Sequence, residues 1–162
     1  MKWFSGMQTS ASGMTSERLR MDVIANNIAN VNTTRDASGA PNPYRRQMVV
    51  LGNRPSFAAA MSQAQTGFPA SATDGEAAPA DPYSQVGRGV RVLQVVEDQR
   101  AFKLKYDPTH PDADSNGWVR LPNVDTVTEM VDLISASRAY EANVTAMNAF
   151  KSMVQSALQI GK

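Results

Sequence analysis

Between Asn123 and Ile160 the chain has neither proline nor glycine, and there Leu133, Tyr140, Met147 and Val154 recur every seven residues. That period keeps one apolar row against a partner helix. Ala136, Phe150 and Ala157 form an adjoining row, and Met130, Val144 and Leu158 widen the face. Pro122 suits the start of a helix, Thr126 followed by Glu129 has the form of a capping box, and Gly161 supplies the stop. A helix over residues 124 to 160 is far longer than the roughly 10–14 residues common in globular proteins, which favours coiled-coil pairing.

The partner is at the other end. Over residues 3 to 31, Phe4, Met7, Ala11, Met14, Met21, Ala25 and Ile28 follow a three-four spacing that only Arg18 breaks, and Ile24 and Val31 widen it. Gly6 and Gly13 each cost about 1 kcal/mol relative to alanine, so the spacing predicts a weak start and a firm helix from about Thr15.

Between these ends the period changes. Residues 44 to 51, 90 to 96 and 102 to 106 are short β-branched or alternating runs. In the last, Phe102, Leu104 and Tyr106 share one face and Lys103 and Lys105 the other. EDQRA, residues 97 to 101, reads as a hairpin loop joining the last two runs. Residues 52 to 88 are rich in Ala, Pro, Ser and Gly and read as a mobile insertion, with one turn of helix at residues 56 to 65. The expected fold class is mainly α with a small β-rich middle: an N-terminal axial helix over 1–34, a β module over 35–122 carrying the insertion, and a C-terminal axial helix over 123–162. One helix pair cannot cover both stripes, so self-association, or assembly with similar chains, follows.

Sixteen basic against fifteen acidic residues, without a basic run, argue against nucleic acid. No cysteine is present, which removes thiolate chemistry and disulfides. Ser5-Gly6 interrupts the first apolar residues, so no signal-peptide apolar core is expected, and no apolar run approaches the roughly 18 residues of a membrane span.

HPDADSNGWV, residues 110 to 119, concentrates whatever site chemistry the chain has. Asp112, Asp114, Asn116 and Gly117 fit the opening of a calcium loop, but Asn123 stands where the closing bidentate Glu belongs. His110 is the only histidine, so no two-His zinc or iron set forms. Asp107, Asp112 or Asp114 could serve as a carboxylate pair for hydrolysis, but little nearby except Trp118 would raise an acid's pKa. The turn reading explains more: prolines fix φ, aspartates accept turn amides, and Asn116-Gly117 supplies φ > 0. The loop then sets the angle between strands and C-terminal helix. No catalytic, cofactor or metal residues and no small-molecule substrate are expected. Arg45 and Arg46 are read either as a solvated strand face or as pairing with a neighbouring subunit.

IANNIANVNTT, residues 24 to 34, packs Asn26, Asn27, Asn30 and Asn32 together, in a helix that Asn disfavours. These amides either end the helix with local caps or bond across a helix interface and fix register. The stretch resembles the signature near the N-terminal helix of bacterial flagellar axial proteins (rod, hook and hook-associated proteins). Residues 32–51 and 89–159 extend the likeness, to proximal rod members in particular. Distal rod and hook proteins usually carry a glycine and an aromatic directly after NTT; here Arg35-Asp36 follow.

The resemblance implies a structural role without catalysis. It implies export through the flagellum's own type III apparatus with no cleaved signal, then assembly in the basal body. There the rod forms the drive shaft from membrane ring and motor to hook, supporting motility. Implied partners are other rod proteins, the membrane-ring and export-gate adaptor, and further copies. Expected subunit-interface residues are Asn26, Asn27, Asn30, Asn32, Ile24, Ile28, Arg18, Tyr140, Met147 and Phe150, with Arg18 meeting Glu141 across the interface.

Overall fold

The computed structural model describes residues 3–36, 38–54 and 89–160, with the side chains of residues 3, 4 and 160 left aside. The element order is α1 (Trp3–Ala29), β1 (Gln47–Asn53), β2 (Val90–Glu97), β3 (Lys103–Tyr106), β4 (Trp118–Leu121) and α2 (Thr126–Ile160). Two long terminal helices and a small antiparallel β middle match the expected class. No described helix is long and apolar enough to cross a membrane. The expected insertion and its turn of helix, from residue 55 on, fall outside the described residues, as do the Phe4 side chain and the stop at Gly161.

α1 and α2 pack together as an antiparallel pair. Their register repeats in sevens: Gly6 faces Phe150, Gly13 faces Asn143, and Asn27 bonds Glu129. In phase between the last two, Ala136 is wholly buried. On α2 this is the row of Ala136 and Phe150 already visible in the sequence. On α1 the facing row is Gly6, Gly13, Arg20 and Asn27, which corrects the apolar rhythm as the buried face. Ala25, in that rhythm, is exposed and Met7, Met14, Met21 and Ile28 are only half-buried, while Ser10, Ser16, Val23 and Ile24 are buried.

The glycines have a packing reason. A Cβ on Gly6 would stand 2.7 Å from Phe150 Cζ, and one on Gly13 2.9 Å from Asn143 Nδ2. Small residues let the axes approach closely, and the helix spans Trp3–Ala29, within the expected range.

The strand pairing also departs from expectation. Val90–Glu97 pairs antiparallel with β1, with an irregularity between Val50 and Leu51, and not with β3. β3 pairs instead with β4, Lys103 opposite Leu121 and Tyr106 opposite Trp118. EDQRA is thus a crossing between two two-stranded sheets, because Asp98, its second residue, is buried and anchored. Gly89, at φ +78°, seats the start of β2 against α1, where the Val90 amide donates to Ser12 Oγ (3.1 Å).

Candidate functional site

The most constrained chemistry lies where α1, β1 and α2 meet. Asn27 is buried, and its amide is fully used: Nδ2 donates to Gln47 O (2.8 Å) and Glu129 Oε2 (3.0 Å), while Oδ1 accepts from Gln47 N and Tyr44 Oη (both 2.9 Å). Two donors and two lone pairs are all such a side chain has. One residue of the Asn stretch therefore caps the strand edge and holds the opposite helix.

Glu129 has no solvent exposure and takes Arg46 Nε on its other oxygen (2.5 Å). Arg46 also reaches Asp132 at 3.5 Å and Asp98 at 3.9 Å. A second buried amide completes the junction. Asn123 Oδ1 accepts from Arg46 N (2.9 Å), and its Nδ2 donates to the carbonyls of Asp98 (3.2 Å) and Arg100 (3.4 Å). Buried charges persist only when paired and hydrogen-bonded, and these are both. Burial, then the negative charges of Glu129 and Glu97, push the Tyr44 phenol above its usual pKa.

Several expectations change here. Arg46 pairs inside its own chain instead of lying on a solvated face, and Arg45 lies over the Phe102 ring at 4.4 Å. Glu129 does not close a capping box. Asp125 caps α2, accepting from Thr128 Oγ1 (2.6 Å) and, through its carbonyl, from Glu129 N (2.9 Å).

The remaining expected interface residues sit in different settings. Arg18, Asn26 and Asn32 are exposed; Ile28, Asn30, Tyr140, Met147 and Phe150 are half-buried; Ile24, like Asn27, is buried within the chain. Asn30 Nδ2 bonds back to Asn26 O (2.9 Å) and Oδ1 (3.0 Å), the local cap expected where a helix ends. Sequence reasoning gave Arg46, Asn123 and Glu129 other roles and gave Asp98 none beyond a place in a loop. A signal existed for Glu129, which stands seven residues before Ala136 on the inner row of α2.

The loop of residues 107 to 117 is a clasp. Asp112 takes Thr34 Oγ1 on one oxygen (2.8 Å) and Arg35 Nε and Nη2 on the other (2.8 and 2.6 Å), tying the loop to the segment that follows α1. Those bonds, Arg35 first, hold its carboxyl below the usual range, and Thr109 does the same for Asp107. The His110 Nδ1 accepts from Asp112 N (3.1 Å). Gly117 alone of the Asn-Gly step has positive φ, at +77°, since no described non-glycine residue does. Among the described residues no group of three or more acidic or histidine side chains is placed to hold a metal ion.

The matches to known proteins cover the same two helices and more. A family described as "Flagella basal body rod protein" matches residues 7–35, and one described as "Flagellar basal body rod FlgEFG protein C-terminal" matches residues 115–160. The flagellar basal-body rod protein FlgC of Bacillus subtilis is 46% identical, covering 98% of each chain. The FlgC of Borreliella burgdorferi is 45% identical over 97% of this chain and 96% of its own. The chain belongs to the FlgC family. The FlgC of Salmonella typhimurium is more distant, 35% identical over 94% of this chain and 93% of its own. As a FlgC-family member, the chain is a structural subunit of the rod in the bacterial flagellar basal body, and it assembles there with other basal-body components. Asn27 lies within the first match and Glu129 within the second, and with Arg46, from the stretch between them, they hold the two helices in one register.

Proposed function

We propose that this subunit acts purely as a building part of the drive shaft between the membrane ring and motor and the hook, without catalysis. Residues 1–34 and 123–162 serve as the axial helices and 35–122 as the outer module. Its neighbours are other rod subunits, the membrane-ring adaptor and further copies, and it reaches them through the type III export apparatus. The observation that carries this reading is the keyed antiparallel helix pair, whose polar junction fixes one geometry for repeated use. The carboxyls of the loop support the same view. A general acid needs a raised pKa, whereas Asp107 and Asp112 are both held low by donors. Of the expected interface residues we assign Arg18, Asn26 and Asn32 to a contact with a neighbour, and their exposure on or just after α1 supports that assignment.

The test is genetic. Cells lacking this chain should build neither hook nor filament and should not swim, and complementation should restore both. Normal filaments in the deleted strain would overturn the proposal. So would clearing of a peptidoglycan suspension by the purified protein that disappears with Asp112→Ala.

A further inference from the structure

Two apolar surfaces of this chain point outward on elements that do not pack together. The strands of the β3–β4 hairpin do not pack along either helix, though Lys103 Nζ ties the hairpin to the entry of α2 by donating to Val124 O (2.7 Å). Its apolar side faces solvent: Leu104 and Tyr106 are each 61% exposed and Trp118 43%. Its other side buries Val119 beneath Lys103 and Lys105, which face Leu121 and Val119 across the pair. Tyr106 and Trp118 meet edge-on, ring centres 5.3 Å apart, so the outward face is a pre-set aromatic pair.

The second surface is the first two turns of α2. Val127, Val131 and Ile134, all more than half exposed, share one row, and Arg138 continues it one turn later. This row lies on the side of α2 opposite Ala136 and the α1 contact. Scattered apolar residues on a surface need no explanation, but two contiguous patches do.

Their charges match end to end. Asp114, whose amide donates to Trp118 O (2.8 Å), flanks the aromatic end of the hairpin, and Arg120 stands opposite Leu104 at the other. Along α2 the order is reversed, with Asp125 before Val127 and Arg138 beyond Ile134. Asp114, Arg120 and Arg138 take part in no ion pair among the described residues.

We propose that the outward face of the β3–β4 hairpin docks on the outer row of α2 in a second copy of this chain. Trp118 and Tyr106 lie against Ile134, Leu104 against Val127, and Asp114 against Arg138. This rests on the reading that copies of the chain adjoin in the rod. Each copy carries both halves of the contact on different faces, so it can offer its hairpin to one neighbour and its α2 row to another, a heterologous contact able to propagate along a helix of subunits. Three side chains against three is a small contact, and one below about 1,000 Å² is weak alone. It therefore forms within the assembly.

The absence of native cysteine allows a clean test by disulfide trapping. Tyr106→Cys and Ile134→Cys chains, differently tagged and co-expressed, should cross-link on mild oxidation of assembled basal bodies. Neither alone should do so. Leu104→Cys with Val127→Cys is a second pair, and Leu104→Cys with Ile134→Cys a mismatched control. Asp114→Arg or Arg138→Asp should each abolish most of the link, and the two together should restore it. Motile cells whose basal bodies contain both cysteine variants but yield no mixed link would overturn the docking and leave the rod role intact. A link equal in the mismatched control, or no restoration by the double reversal, would overturn it as well. Wild-type chain absent from isolated basal bodies would instead overturn the rod role on which the docking stands.

Discussion

Arg46 donates through Nε to Glu129, a carboxylate with no exposure to solvent, across the point where β1 meets α2. Removing one member of such a pair leaves the other charge buried and uncompensated. Glu129→Ala is expected to lower stability by about 3–5 kcal/mol, since Asn27 loses a partner as well. Glu129→Gln keeps the shape and an acceptor and should lose less. Urea titrations of the purified chain measure both; an alanine variant within about 0.5 kcal/mol of the parent, the range of ordinary surface changes, would show the junction to be unimportant.

At Gly13 two effects oppose each other. Alanine there gains about 1 kcal/mol of helix propensity but must move the Asn143 amide, which would lie 2.9 Å away. The amide is the end of a flexible side chain, so Gly13→Ala should change little. Gly13→Leu must separate the helices and is expected to cost about 1–3 kcal/mol, visible as a lower thermal midpoint by circular dichroism.

Gly89 allows no such compromise. Its φ is +78°, and a Cβ would meet Ser12 Oγ at closer than van der Waals range and the Thr9 backbone at 3.4 Å. Left-handed backbone costs an ordinary residue about 1–2 kcal/mol before any clash. Gly89→Ala should therefore destabilise the chain by at least that amount, and β2 amides should exchange with solvent faster than in the parent.

Acid should weaken the fold. The carboxyls of Asp98, Asp107, Asp112 and Asp125 all sit below their ordinary value, chiefly through bonds from Arg100, Thr109, Arg35 and Thr128 respectively. With folded values depressed, the unfolded chain binds more protons between the two values. The stabilisation is thus complete above the unfolded pKa and lost as pH falls through the folded one. The urea midpoint should be flat above about pH 5 and fall below about pH 4, with a shallower fall in Asp112→Asn. A midpoint that rises on acidification would contradict this assignment.

Much of this architecture could be read from residue spacing alone. Ala136 and Phe150 on α2 stand two heptads apart in a row visible in the sequence despite Asn143 between them, and the Asn stretch marks the end of α1. What could not be read follows from chemistry that periodicity ignores. The inner row of α1 holds Gly6, Gly13, Arg20 and Asn27, so a search for apolar residues selects a neighbouring row instead. Glu129 reads as a cap because a carboxylate in a first helical turn usually is one. Only the tertiary position of Arg46, 83 residues earlier, turns it inward. The β2–β3 hairpin was locally plausible, but the buried Asp98 and the Asn123 amide hold the intervening residues as a crossing. In the loop, nothing local foretells that Asp112 reaches Arg35.

The seam between the helices is unevenly directional. At one end, bonds to Asn27 and Glu129 tolerate neither sliding nor rotation. Toward the other, Phe150 rests on Gly6 through a contact without polar direction, and α2 is eight residues longer than α1, 35 against 27. A helix pair built this way behaves like a cantilever clamped beside the strands. Subunits that occupy inequivalent places in a twisting rod can differ at the free ends of their helices while the clamped end, and the strands fixed to it, keep the same shape in each.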